Sequence, residues 1–84
     1  SGAGVIFGNS GGVTEAAVRT AYHSMTGQDP TGELLNFEPV RGLDGVKEAT
    51  ITIEGVTLKL AVVQGTAHAR TLIEKIKQQI DSTL

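Results

Sequence analysis

The sequence predicts an α+β fold, a two-layer sandwich in which two helices cover a small antiparallel sheet. Three observations predict it. Apolar residues recur at helical spacing near the start of the chain and again near its end, and apolar and polar residues alternate strictly between them. The predicted order is helix, strand, strand, strand, helix, with a central β-hairpin. The 84 residues suffice for one small domain with a limited core.

The first helix is predicted over residues 12–26. Ser10 or Gly12 is suited to cap its start, and Gly27 is suited to follow its end. Glu15 and Arg19 are four residues apart, in the order that favours an exposed ion pair. The apolar stripe of this helix is expected to comprise Val13, Ala16, Ala17, Thr20, Ala21 and Ser24, widened by Val18, Tyr22 and Met25.

A hairpin is predicted over residues 46–63, after a short edge strand at 36–41 that contains Pro39 and a turn at 41–45. If Glu54-Gly55 is a two-residue turn, the register of the hairpin is fixed, because a slip of one residue would mix the two faces. The pairs expected on the buried face are Ile53 with Val56, Ile51 with Leu58 and Ala49 with Leu60, and on the polar face Thr52 with Thr57 and Thr50 with Lys59.

The second helix is predicted over residues 67–81, after a break at Gly65-Thr66. Lys75 and Lys77 lie near its end, where positive charge favours the helix dipole. Its apolar side is expected to comprise Ala69, Leu72, Ile73, Ile76 and Ile80.

Composition excludes several classes of function. The net charge is −2 and there are three aromatic residues, so neither a basic patch nor a stacking surface for nucleic acid is predicted. The apolar runs are too short to span a bilayer. The chain has no cysteine, which removes disulfides, thiol catalysis and clusters bound by thiolates. His23 and His68 are far apart in sequence and are expected on the surface, so this chain alone offers no metal site.

The opening stretch is rich in glycine. The spacing Gly2-x-Gly4-x-x-x-Gly8 superficially resembles a dinucleotide fingerprint, but that motif requires a preceding strand and a parallel sheet, and neither is predicted here. A phosphate loop is disfavoured as well, because no Lys-Ser/Thr pair follows the glycines. The simpler alternative is a flexible N-terminus followed by a Gly-Gly turn.

The stretch SGAGVIFGNSGGVTEAAVRTAY closely resembles a signature of the iron-only (di-iron) hydrogenases, in the catalytic domain of the large subunit. The usual form of that signature is GSGAGVIFG, two variable residues, then GGVMEAALRTAYE. FEPVRGLDGVKEATI and VTLKLAVVQGTAHARTLIEKI continue the resemblance in the same order, so it covers essentially the whole chain. Thr14 stands where methionine is usual, and 28–32 and 64–68 also deviate. The cysteine motifs of that family, TSCCP, PCxxKK and ACPGGC, are absent from this chain.

The resemblance implies a segment of an enzyme that interconverts protons and H₂. The parent protein is implied to carry 4Fe–4S clusters and the H-cluster, a cubane joined to a di-iron site, while this segment holds no cofactor by itself. By position, Gly4, Phe7, Gly8 and Val13 are implied to line the wall of the cofactor pocket, with no catalytic residue and no metal ligand from this chain. Glycine lets the backbone approach closely and a phenyl ring supplies an apolar wall. The alternative is that the glycines serve only the passage from loop to helix.

The expected partner is the remainder of the hydrogenase catalytic domain. The parent is implied to exchange electrons with ferredoxin, an NAD(P)-linked subunit or a cytochrome, without nucleic acid or membrane partners, and the cytoplasm is favoured over the periplasm. Alone, the 84 residues are expected to be monomeric, inactive and free of iron, with residues 1–11 forming a cluster-facing loop that is disordered or loosely held. The competing interpretation is a free-standing α+β interaction module without redox activity.

Overall fold

A computed structural model describes residues 5–31, 35–63 and 68–83. Within them lie two helices and a four-stranded mixed sheet of strand order β1-β4-β3-β2. The α+β class is therefore confirmed. The elements in chain order are β1 (Val5–Gly8), α1 (Gly11–Thr26), β2 (Glu38–Pro39), β3 (Lys47–Ile53), β4 (Val56–Val62) and α2 (Ala69–Thr83).

The strand β1 is not among the elements predicted from the sequence. It pairs in parallel with β4, with Val5 opposite Lys59 and Gly8 opposite Val62, and it makes the sheet mixed rather than wholly antiparallel. The run Val5-Ile6-Phe7 has the β-branched and aromatic residues typical of strands. Three residues are too few to display a period of two, so the surrounding glycines favoured a loop.

The hairpin of β3 and β4 has the predicted register, with Ile53 opposite Val56 and Thr52 opposite Thr57. Its turn residues have positive φ, 54° at Glu54 and 79° at Gly55, as a two-residue turn of type I′ requires. The two threonine hydroxyls share a hydrogen bond of 3.2 Å on the open face of the sheet. Pattern and turn chemistry together therefore determine this part of the fold.

Helix α1 ends at Thr26 as predicted, begins one residue earlier than predicted, at Gly11, and buries a different side. Ser10 caps it by accepting a hydrogen bond of 3.2 Å from the N–H of Val13, and Gly27 ends it in the left-handed conformation. The predicted stripe is wrong in part, because Ala16, Thr20 and Ser24 are exposed. Small residues lie all around this helix, so hydropathy alone does not distinguish its sides. The buried residues are Thr14, Ala17, Val18 and Ala21.

Helix α2 begins at Ala69 and extends to Thr83, two residues beyond the predicted end. The predicted break at 65–66 and the predicted first residue, 67, lie outside the described residues. Leu72, Ile76 and Ile80 are fully buried and form one core with α1 and the inner face of the sheet. Both helices therefore cover the same face, and α2 also packs against β1. Neither helix is long and apolar enough, over its described residues, to cross a membrane.

Strand β2 forms the other edge of the sheet. It consists of Glu38 and Pro39, paired antiparallel with Glu48 and Lys47 of β3. The predicted position of Pro39 on an edge strand is confirmed. The turn that follows closes by a hydrogen bond of 3.0 Å from the N–H of Val40 to the carbonyl oxygen of Val46.

Candidate functional site

The carboxyl ends of the parallel strands β1 and β4 lie at the same end of the sheet. Val63 donates a backbone hydrogen bond of 3.2 Å to the carbonyl oxygen of Gly8 there. Asn9 and Ser10 then lead directly into α1, so the amino end of the helix lies at the same end of the sheet. Ligands in open sheets commonly bind beyond the carboxyl ends of parallel strands and at helix N-termini. Three of the candidate pocket residues, Phe7, Gly8 and Val13, lie on either side of this strand-to-helix passage.

Phe7 lies on the open face of the sheet, opposite the helices. Burial alternates along β1, and the side chain of Phe7 is 53% exposed. Val5 is 51% exposed on the same face, and Ala61 of β4 is the register partner of Phe7. We call Val5, Phe7 and Ala61 the apolar strip. The rest of the open face is polar, with threonines and a Lys59–Glu48 ion pair at 3.9 Å, so the strip is confined to the β1 side.

Gly8 lies on the opposite side of β1 from Phe7 and is buried. A Cβ atom at this position would overlap Oγ1 of Thr14 and would lie 3.2 Å from its Cγ2. The space left by the missing side chain is therefore filled by α1. This contact gives Gly8 a packing role inside the fold, which corresponds to the alternative stated for the glycines from the sequence.

Thr14 is the fully buried polar residue of the described chain. Its hydroxyl has no hydrogen-bond partner within the described residues, a condition that costs about 1–3 kcal/mol for a buried polar group. Its position is the one where the resembling signature has methionine. The departure from the signature therefore lies in the interior of the fold, against Gly8, and not on its surface.

Phe7, Gly8 and Val13, the candidate pocket residues that the structure describes, do not lie on one side of the sheet. Val13 is partly buried in the first turn of α1, on the helix side of the sheet, whereas Phe7 is on the open side. Gly8 lies between them in the chain and joins the two sides through its backbone. Gly4 lies outside the described residues.

A cleft lies at the same end of the sheet, and it was not predicted from the sequence. It has a volume of about 270 Å³ and opens at the passage from β1 to α1. The ring of Phe37 covers part of this passage. Its Cε2 atom lies 3.8 Å from the point that a Cβ atom would occupy if residue 11 had a side chain. If β1 had been recognised as a strand parallel to β4, the carboxyl ends of the two strands would have indicated a cleft at this end of the sheet. The residues that line the cleft are Asn9, Ser10, Gly11, Phe37, Gly45, Lys47 and Val62.

The titratable residues predicted on the surface are found there. His23 and His68 are exposed, and Nδ1 of His23 lies 2.9 Å from Oδ1 of Asp29. The predicted pair of Glu15 and Arg19 is present at 3.2 Å. Within residues 5–31, 35–63 and 68–83, no three potential metal ligands lie close enough to hold an ion. The candidate site described so far therefore consists of exposed apolar side chains, polar side chains of the cleft and backbone groups.

The described residues thus form a small α+β unit whose sheet has one face covered by helices and an apolar strip on the other. The family model described as "Iron only hydrogenase large subunit, C-terminal domain" matches residues 1–83. The chain belongs to this family, and the resemblance drawn from its glycine signature is confirmed.

Three curated relatives are similar to this chain. It is 44% identical over 77 residues to the periplasmic [Fe] hydrogenase large subunit of Nitratidesulfovibrio vulgaris, covering 92% of this chain and 18% of the relative. It is 46% identical over 74 residues to the NADP-reducing hydrogenase subunit HndD of Solidesulfovibrio fructosivorans, covering 88% and 12%. It is 41% identical over 68 residues to iron hydrogenase 1 of Clostridium pasteurianum, covering 81% and 12%. The chain thus spans less than a fifth of each relative. No solved structure matches the chain.

Proposed function

We propose that this chain is a segment of the catalytic domain of an iron hydrogenase, where it supplies scaffold and one wall of the cofactor pocket. The observation that carries the proposal is the exposed Phe7 beside the parallel strand ends, in a chain that matches the hydrogenase family over residues 1–83. The whole enzyme would catalyse the reversible reduction of two protons by two electrons to H₂. The competing interpretation, a free-standing interaction module, does not account for a match over this whole length.

The residues of this chain would shape and dry the pocket. An iron cluster, when bound by cysteines from the rest of the domain, supplies the hydrogen chemistry and the electron storage. Its potential and reactivity respond to burial and to neighbouring hydrogen bonds. Phe7 would exclude water on the open face of the sheet. Val13, which lies on the helix side, would approach the cofactor at the start of α1, and the absence of side chains at Gly4 and Gly8 would let the backbone come close to it.

The remainder of the chain would hold this wall in place. β1 is fixed on its inner side by the fully buried Leu60 of β4 and by α2. Electrons would reach the whole enzyme from a separate donor or acceptor. The name of the NADP-reducing relative supports an NAD(P)-linked subunit among the candidates, beside ferredoxin and cytochrome.

Replacing Phe7 tests the pocket wall. The variant is made in a hydrogenase large subunit, that of the Nitratidesulfovibrio vulgaris relative, carrying this chain in place of its matching segment; we call this protein the chimera. We expect Phe7→Ala to lower H₂ turnover about 10-fold, because water enters the pocket. It should also shift the infrared bands of the CO and CN⁻ ligands that the family resemblance implies on the di-iron site. Leu43→Ala is the matched control, since Leu43 is 56% exposed in the turn next to β2, at the other edge of the sheet. Unchanged turnover and unchanged bands in Phe7→Ala would remove Phe7 from the wall.

The isolated chain is expected to bind no iron and to evolve no H₂. The physical reason is the composition, since the 84 residues contain no cysteine. The measurement is metal analysis of purified, chelator-washed protein together with a hydrogen-evolution assay, and the chimera serves as the positive control. Near-stoichiometric iron in the washed chain would contradict the prediction.

A further inference from the structure

We propose that β1, an edge strand among the described residues, is an interior strand of a larger sheet in the whole hydrogenase domain. An extended segment from elsewhere in the same large subunit would pair with β1 beside α2 and continue the sheet. This inference rests on the proposed function, because it takes the chain to be part of that domain.

The two edges of the sheet differ in how they are protected. Natural edge strands are kept from pairing by shortness, charge or proline. β2 has all three, since it consists of the exposed residues Glu38 and Pro39. β1 has four residues without charge or proline, and two of them, Val5 and Phe7, are exposed and apolar. One edge is thus built to end the sheet, whereas the other has no such protection.

The backbone of β1 presents hydrogen-bonding groups outward. The carbonyl oxygen of Gly8 accepts from Val63, so the peptide groups of Gly8 point toward β4. Because these directions alternate along a strand, Ile6 also points toward β4, while the N–H and C=O groups of Val5 and Phe7 point away from it. Within the described residues, β4 is the one strand that pairs with β1. Two donors and two acceptors therefore face outward in a row.

A groove runs along this edge. It has a volume of about 390 Å³ and separates β1 from one flank of α2. A strand would satisfy the outward backbone groups of β1, which a docked helix cannot do, since its own backbone groups are paired internally. Every second side chain of that strand would lie beside the apolar strip on the open face, and the others would face the polar flank of α2. A segment in which apolar and polar residues alternate therefore fits best. The lining residues are Val5, Ile6, Phe7, Lys75, Gln78, Gln79 and Ser82.

The source of the strand follows from the length of the relatives. The chain matches 12–18% of their lengths, so most of each large subunit lies outside the matching segment. A segment in the same polypeptide has a high effective concentration at this edge, whereas a second copy of the chain must bind from solution. A strand of the same large subunit, with apolar residues at alternate positions, is therefore the occupant that we propose.

Amide hydrogen exchange tests the pairing. In the isolated chain, the amides of Val5 and Phe7 point away from β4 and should exchange rapidly. In the chimera, we expect these two amides to exchange at least about 100-fold more slowly, as for amides inside a sheet. Equal exchange rates in the two proteins would overturn the inference. The inference would also be overturned if these amides exchanged slowly in the isolated chain and their exchange rates fell further as the protein concentration rose. That result would identify a second copy of the chain as the occupant.

A proline at Val5 provides a second test. Val5→Pro removes an outward N–H and leaves the pairing of Ile6 and Gly8 with β4 intact, while Val5→Thr retains the N–H and serves as the control. The slow exchange of the Phe7 amide in the chimera should be lost in Val5→Pro and kept in Val5→Thr. In the isolated chain the two variants should unfold at similar denaturant concentrations. Loss in both chimeras, or in neither, would contradict the inference.

These tests fail independently of the proposed function. A chimera that turns over H₂ but leaves Val5 and Phe7 unprotected would refute the added strand and leave the hydrogenase assignment standing. A chimera whose β1 is protected but whose turnover and infrared bands are unaffected by Phe7→Ala would refute the pocket wall and leave the added strand standing.

Discussion

Leu58→Ala is expected to lower the free energy of unfolding of the isolated chain by about 3 kcal/mol, within the range of about 2–5 kcal/mol for such core truncations. Leu58 is fully buried in β4, which pairs with β1 on one side and β3 on the other. The lost methyl groups leave a cavity between the sheet and both helices, and a small domain has little stability to lose. Urea unfolding followed by circular dichroism measures the change.

Thr57→Ala is the matched control for this prediction. Thr57 precedes Leu58 in the same strand, but it is exposed on the open face and interacts with Thr52 at the surface. We expect a change of about 0.5 kcal/mol or less, as is usual for surface substitutions. Equal losses in the two variants would show that the inner face of β4 does not form the core.

The hairpin could be predicted from the sequence because two independent signals agree there. The alternation of Ile51 and Ile53 with threonines fixes the faces, and the turn at Glu54-Gly55 fixes which residues lie opposite each other. Register is strongly specified wherever one face of a strand is buried. Local pattern and long-range packing therefore required the same arrangement.

β1 and the buried side of α1 could not be predicted by the same means. Val5-Ile6-Phe7 is too short for a period, and its strand character depends on pairing with β4, more than fifty residues later. In α1, Ala16 and Ala17 are equal in hydropathy, yet Ala17 is buried and Ala16 is exposed. Which side faces the core is decided by contact with α2, a tertiary contact that hydropathy does not specify.

The candidate site was located by resemblance and corrected by geometry. The glycine signature directed attention to Gly8. The structure shows that the absence of a side chain at Gly8 leaves space for Thr14 inside the fold. The signature also grouped Phe7 with Val13, although β1 separates their side chains onto two sides of the sheet. A signature records which residue types recur together, whereas the side to which each one points depends on the strand.

Gly8→Ala is expected to destabilise the isolated chain by about 3 kcal/mol, the upper part of the usual range for overpacking. The added methyl group overlaps Oγ1 of Thr14, which is fully buried, so strand β1 or helix α1 must shift to make room for it. Gly12→Ala is the matched control, because nothing lies within 4 Å of a Cβ atom there. Alanine also favours a helix over glycine by about 1 kcal/mol, so the control should be neutral or more stable. Chemical denaturation of both variants checks the contrast, and similar stabilities would show that α1 does not pack on Gly8.

The double variant Gly8→Ala/Thr14→Ala separates packing from pocket lining at Gly8. Removing Oγ1 and Cγ2 of Thr14 leaves its Cβ 3.3 Å from the new methyl group, a distance that small shifts accommodate. The double variant should therefore be about as stable as Thr14→Ala alone, with a coupling of about 3 kcal/mol in the double-mutant cycle. In the chimera, the pocket-wall proposal predicts that H₂ turnover stays about 10-fold low after stability is restored, because the backbone at Gly8 also borders the cofactor. If turnover returns together with stability, the role of Gly8 is packing alone, and the wall is formed without it.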